Sequence, residues 1–253
     1  MGFDAVDFRG LGDALDVTTL AAFNSGAAET RRRIDNAGLE VSCISTSISL
    51  CDAAKRTANL DEARRTIGVA VAMGAKRVRV FGNGDISGGL PAAAAIGLGC
   101  MREILGLPGA REVVWCFETH DHWIRGRDAR LLLDAIVDPA FGALWDMGHT
   151  SRVGGESPGD TLGLIGSRIA YTHVKDAIHD PSHPMAMGDG WRYVPPGTGQ
   201  LPLAESISLL AATGYDGYVT FEHEKRWHPT LMEPEEIFPK FVAWARSLPE
   251  LRA

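Results

Sequence analysis

Four short apolar runs in this chain end in side chains able to bind a metal or move a proton. Val113-Val-Trp-Cys-Phe ends at Glu118, Ala143-Leu-Trp at Asp146, Ala170-Tyr-Thr at His173, and Tyr218-Val-Thr-Phe at Glu222. Two glutamates, an aspartate and one imidazole make a mostly hard-oxygen donor set, which suits Mn²⁺, Mg²⁺ or Co²⁺ and can also hold Zn²⁺. Three carboxylates brought together without a cation would repel one another and titrate abnormally; one divalent ion offsets most of that charge. The matching chemistry is proton removal beside a carbonyl, because the resulting enediolate needs a nearby electrophile and a metal ion supplies one. Glu118 and Glu222, on strands separated around a rim, could then act as base and acid on opposite faces of the substrate carbon. That yields isomerisation or epimerisation. If the intermediate instead expels a β-hydroxyl, the same residues give a dehydratase, so the donor set leaves isomerase and lyase both open.

These residues must be positioned by strands, and the chain supplies seven. The β-rich runs are Ala5–Arg9, Glu40–Ile48, Arg77–Phe81, Glu112–Glu118, Phe141–Asp146, Ile169–Val174 and Gly217–Glu222. Between them, apolar residues recur at three and four positions over Ala27–Ala37, Leu60–Met73, Ala92–Leu105, Ala129–Val137, Asp160–Gly166 and Leu203–Ala212, which predicts helices. Gly38, Gly74 and Gly214 follow helical segments where a left-handed terminal residue is wanted. Runs such as Val113-Val-Trp-Cys-Phe are apolar on both faces, as in a parallel sheet covered on both sides. An α/β fold of this kind is a doubly wound sheet or a β/α barrel. Only the barrel brings four strand ends to one mouth. The string Gly82-Asn-Gly-Asp-Ile-Ser-Gly lacks the spacing of a dinucleotide loop and reads as a loop above a strand. The expectation is a single parallel-stranded barrel domain over residues 1–253.

Composition bounds the partners. The 253 residues carry 25 basic against 32 acidic side chains, a formal charge of -7. This disfavours nucleic acid and anionic membranes and leaves a small molecule as the expected ligand. Cys43, Cys51, Cys100 and Cys116 form no CxxC pair, which speaks for a reducing cytoplasm, with Cys43 and Cys116 as plain core residues. The N-terminus has neither a basic n-region nor a long apolar h-region, and no apolar run reaches the ~20 residues of a membrane span.

Several longer strings sharpen this reading: Gly2-Phe-Asp-Ala-Val-Asp-Phe-Arg, Gly38-Leu-Glu-Val-Ser-Cys, Phe117-Glu-Thr-His, Trp145-Asp-Met-Gly-His, His173-Val-Lys-Asp, Pro196-Gly-Thr-Gly and Gly214-Tyr-Asp-Gly-Tyr-Val-Thr-Phe-Glu-His-Glu. In that order they resemble the xylose isomerase-like TIM-barrel superfamily, in its sugar phosphate isomerase/epimerase branch, over nearly the whole chain. The resemblance implies that Glu118, Asp146, His173 and Glu222 hold one divalent metal, that His149 contacts substrate, and that Glu118 and Glu222 double as acid and base. It implies carbohydrate metabolism, with a sugar, sugar acid or sugar phosphate as substrate and manganese among the candidate metals. A dehydratase of a polyol ketone or of a dehydroshikimate-like acid is the alternative, followed by a barrel that binds a ligand without turnover. A three-zinc abasic-site endonuclease, elsewhere in the superfamily, conflicts with the net charge and with the few converging histidines.

Around the four residues, His120 and Lys175 stand two positions beyond Glu118 and His173 and are candidate substrate contacts, while Glu224 is a candidate outer partner of Glu222. The stretch from Ala177 to Gln200 is long for a connection and reads as a lid, with Arg192 a candidate substrate ligand. Arg226 is a candidate anion clamp. Against the family pattern, Gly2-Phe-Asp-Ala-Val-Asp resembles the second strand, so roughly 30 residues of a first βα unit are absent from this sequence. The unpaired edges this would leave call for a helix, a loop or a second copy of the chain to cover them, and a homo-oligomer is expected.

Overall fold

The computed structural model describes residues 2–251. Its main sheet has seven parallel strands: β1 (Ala5–Phe8), β2 (Glu40–Ser49), β3 (Arg77–Phe81), β4 (Val114–Glu118), β5 (Phe141–Asp146), β6 (Ile169–Val174) and, after an intervening hairpin, β9 (Thr220–Phe221). They pair in chain order and curl into a nearly closed barrel. Six helices run between the strands: α1 (Ala27–Asn36), α2 (Arg56–Met73), α3 (Leu90–Leu105), α4 (Gly126–Ala135), α6 (Pro158–Ile165) and α7 (Leu203–Ala212). Each matches a segment of three-and-four periodicity, with starts up to four residues earlier. Gly74 shows why the helices stop where they do: it closes α2 with φ of +70°, a conformation that costs a residue with a Cβ.

Strand alternation decides which side chains meet inside. Glu118 and Cys116 point to one side of β4, and Trp115 and Phe117 to the other; the same period places Leu144 with Asp146 and Tyr171 with His173. Cys43, Cys116, Leu144 and Tyr171 form a fully buried layer beneath the mouth, which bears out the core reading of the two cysteines. The Tyr171 hydroxyl reaches across to Ser42 Oγ at 2.7 Å. A titratable ring above a dry plug is thereby the barrel's design.

Three elements fall outside the periodicity reading. The short helix α5 (Met147–Arg152) starts directly on Asp146, whose carboxylate caps it by accepting from His149 N at 2.8 Å. The stretch after β6 is an antiparallel hairpin of β7 (Asp176–His179) and β8 (Trp191–Val194), in register from Asp176 opposite Val194 to His179 opposite Trp191. The last helix, α8 (Pro234–Ser247), has Pro at its first turn and carries Pro239 inside.

α8 bears on the seam between β1 and β9, which no hydrogen-bond ladder closes. Phe241 of α8 stacks on Phe3 at 5.7 Å and on Phe221 of β9 at 4.8 Å. Arg226 donates to the carbonyls of Gly12 and Asp13 at 2.8 and 2.9 Å, and the Tyr218 hydroxyl donates to Glu40. The chain's own C-terminal segments thus cover the edges that the sequence reading left to a helix, a loop or a second copy. No described helix is long and apolar enough to cross a membrane.

Candidate functional site

Glu118, Asp146, His173 and Glu222 converge at the C-terminal mouth of the barrel. Each offers a ligand atom, and the four atoms lie within 4.8 Å of one another. The convergence follows from local structure: β4 and β5 end on inward positions at Glu118 and Asp146, β6 places His173 one residue before its end, and Glu222 directly follows β9. His173 Nδ1 lies 3.5 Å from Glu118 Oε1 and 3.6 Å from Glu222 Oε1.

Asp146 Oδ2 and Glu222 Oε2 are buried against the Lys175 ammonium, whereas His173 Nδ1 is buried and meets only carboxylate oxygens. Three carboxylates packed this closely are costly unless positive charge sits among them, and one ammonium offsets only part of that charge. The mostly hard-oxygen donor set and its excess of negative charge fit one divalent cation held by the four residues.

Two residues without a role in the sequence reading hold this group in place. Arg79 of β3, 2% exposed, donates through Nη1 to Glu118 Oε2 at 3.1 Å and leaves Oε1 turned toward His173. On the other side of His173, Asp7 Oδ2 is 3.6 Å from Nε2 and accepts from Ser45 Oγ at 3.0 Å. A carboxylate behind an imidazole fixes the ring and its tautomer. The alternation Arg77-Val-Arg79-Val in a strand with a buried face was the available signal for the arginine, because an inward charge requires a partner.

Lys175, just past β6, is fully enclosed. Its Nζ lies 2.9 Å from Asp146 Oδ2 and 2.6 Å from Glu224 Oε1, also pairs with Glu222, and lies 3.4 Å from His149 Nε2. Glu224 therefore reaches Glu222 through the lysine rather than directly. His149 Nδ1 is 3.1 Å from Asp146 Oδ2, and its ring meets that of His120 edge-on at 4.8 Å. His120 in turn pairs with Asp121 at 2.7 Å.

Electrostatics follow this layout. Burial alone would raise Glu118, but Arg79 and His173 outweigh it and hold the carboxyl well below the usual range. Glu222, also resisted by burial, is brought down to about 2 by Lys175 and His173. His173 is pushed well up by Glu222, Asp7 and Glu118 against its burial. Burial carries His149 down to about 4, overcoming Asp146.

Beside the cluster lies a cavity of about 270 Å³ that touches Lys175, Glu222 and Glu224. The β7–β8 hairpin supplies part of its wall, including Arg192. Arg226 is not brought there. Its guanidinium is spent on the Gly12 and Asp13 carbonyls, so a strap between loops replaces the expected anion clamp.

The sequence profile of the xylose isomerase-like TIM barrel matches residues 1–248. The chain belongs to this family. The family's solved structures agree in fold. A magnesium-bound xylose isomerase-like TIM barrel protein from Mycobacterium smegmatis superposes with a TM-score of 0.74 at 20% identity, covering 99% of this chain and 85% of that one. The 3-keto-D-glucoside 4-epimerase of E. coli gives 0.71 at 17% identity, with 97% and 90% covered. The probable 3-DHS dehydratase AsbF of Bacillus anthracis gives 0.71 at 15%, with 95% and 97% covered. No curated protein matches the chain by sequence. Neighbours in this family are mostly enzymes, epimerases and isomerases with a dehydratase among them.

Proposed function

We propose that this chain is a divalent-metal-dependent isomerase or epimerase that moves a proton beside the carbonyl of a small sugar, sugar acid or sugar phosphate. The observation that carries the reading is the convergence of ligand atoms of Glu118, Asp146, His173 and Glu222 within 4.8 Å of one another, beside a cavity that Glu222 lines. A divalent ion held there supplies Lewis-acid polarisation of the substrate carbonyl.

The chain's own residues divide the remaining work by environment. Glu222 lines the cavity, its side chain is 29% exposed, and its carboxylate is ionised at neutral pH, so it takes the proton from carbon. Glu118, 1% exposed and clamped by Arg79, faces the cluster from the opposite strand; in epimerisation it takes up a proton of its own from solvent and delivers that one to the other face of the carbon, while Glu222 keeps the proton it removed. Lys175 offers an ammonium to the oxygen that gains charge. His149 is neutral at pH 7; with Nδ1–H turned to Asp146, its Nε2 accepts a hydrogen bond from a substrate hydroxyl, with His120 stacked edge-on behind it. Arg192 contacts the distal part of the substrate from the hairpin.

Glu118→Gln and Glu222→Gln are each expected to lower turnover about 100-fold or more without unfolding the protein. Proton exchange into product from deuterated water, followed by NMR, checks this; near-native exchange in either variant refutes the assignment. A dehydratase remains the second reading, because Lys175 and its partner Glu224, 2.6 Å apart, could protonate a departing β-hydroxyl. New ultraviolet absorbance from an enone product identifies it, since epimerisation creates no conjugation.

A further inference from the structure

The cavity beside the cluster has an uneven lining. Lys175, Glu222 and Glu224 line it beside the cluster, and most of the remaining wall is apolar, from Met185, Val194, Phe221, Leu231 and Ile237, with the Tyr193 ring among them. Several other polar atoms on its wall are engaged by the chain. His183 Nδ1 accepts from the Met185 amide at 3.1 Å, His223 Nε2 bonds the Met232 carbonyl at 2.9 Å, and Arg192 Nε faces Asp180 at 3.4 Å. A free polyol carries a hydroxyl on nearly every carbon, and hydroxyls placed against Val194, Phe221, Leu231 and Ile237 would lose water without gaining partners. Apolar cavities of roughly 150 Å³ already take up benzene. At about 270 Å³ this one has room for a group of that size next to a small polar head.

We infer that the substrate is amphipathic: a hydroxy-ketone head over Lys175 and Glu222, carrying an apolar aryl or alkyl substituent that fills the space between the β7–β8 hairpin and the segment before α8. This rests on the proposed proton-transfer function for the head and on the cavity alone for the tail.

The test compares two ligands with the same head, hydroxyacetone and 2-hydroxyacetophenone, which differ only in methyl against phenyl. Binding to the full chain is titrated by ligand-observed NMR at millimolar concentration, with metal content measured on the same samples. The aryl compound is expected to bind roughly tenfold or more tightly, as the burial of a ring requires. Leu231→Asp and Met185→Asp, both on half-buried loop positions, are each expected to remove that advantage while leaving metal content unchanged. Equal affinity for the two ligands, no binding of the aryl compound, or an advantage that survives both variants overturns the inference. Metal content separates the two proposals: a chain that retains aryl binding but holds no metal loses only the proposed reaction, and one that holds metal but ignores the phenyl ring loses only the tail.

Discussion

His173 sits among Glu118, Glu222 and Asp7, and their charges raise its proton affinity well above the usual histidine range despite its burial. A metal ligand must be the neutral imidazole, so binding an ion at pH 7 has to expel that proton. The account predicts release of about one proton per ion bound, and an apparent affinity that falls about tenfold for each pH unit below the raised value. Calorimetry in buffers of different ionisation enthalpy checks it; binding with no proton release contradicts the role given to His173. The sign for stability is the reverse. In the ion-free protein a raised histidine stabilises the fold fully below the ordinary value of 6.5 and loses that contribution as pH climbs through the raised one. At this scale the four converging residues were legible because each closes an apolar run. Asp7 and Arg79 were not, since a charge inside a strand announces a need for a partner without saying which strand supplies it. Arg226 misled for a related reason: a cation at a barrel mouth serves a loop carbonyl as readily as an anionic ligand, and its chain offers no periodicity to tell them apart.

The β7–β8 hairpin depends on one carboxylate. Asp176 accepts from the backbone of Ala177, Gly197 and Gly199, each at 2.9 Å, and of Leu201 at 3.3 Å, and so folds the return segment Pro196-Gly-Thr-Gly against β7. Asp176→Ala leaves those four amides without their acceptor. Since a hydrogen bond to a charged group contributes about 1.5–3 kcal/mol, a loss of at least about 2 kcal/mol is expected in denaturant unfolding, along with weaker substrate binding. A change under about 0.5 kcal/mol would mean that water replaces the carboxylate there. Most elements were legible locally: seven strands lie at the short β-branched and aromatic runs, and six helices where apolar residues recur at three and four positions. The hairpin was not, because its strands are four residues each and joined by a long polar turn. α5 is six residues long, too short for a period to show. In α8 the internal Pro239 argues locally against a helix, and packing of Phe238 and Phe241 onto Phe3 overrides it.

For the molecule as a whole, the seam between β1 and β9 decides whether seven strands can make a stable barrel. Phe3, Phe221 and Phe241 form a stacked column there, with α8 laid over it. Phe241, 4% exposed, holds the centre, and Phe241→Ala is expected to cost about 3–5 kcal/mol, read as a lowered denaturation midpoint. A cost below about 1 kcal/mol would show that the seam is closed some other way. A homo-oligomer remains a proposal for light scattering, and a stable monomer would contradict it. Everything proposed about chemistry depends on whether the mouth of this barrel holds an ion. The most direct test is the metal content of the purified chain by elemental mass spectrometry after equilibration with Mn²⁺ and dialysis, compared with Glu222→Gln. The account predicts about one ion per chain, lost or greatly weakened in the variant. A wild-type chain that stays metal-free, or a variant that binds as well as the wild type, would contradict it.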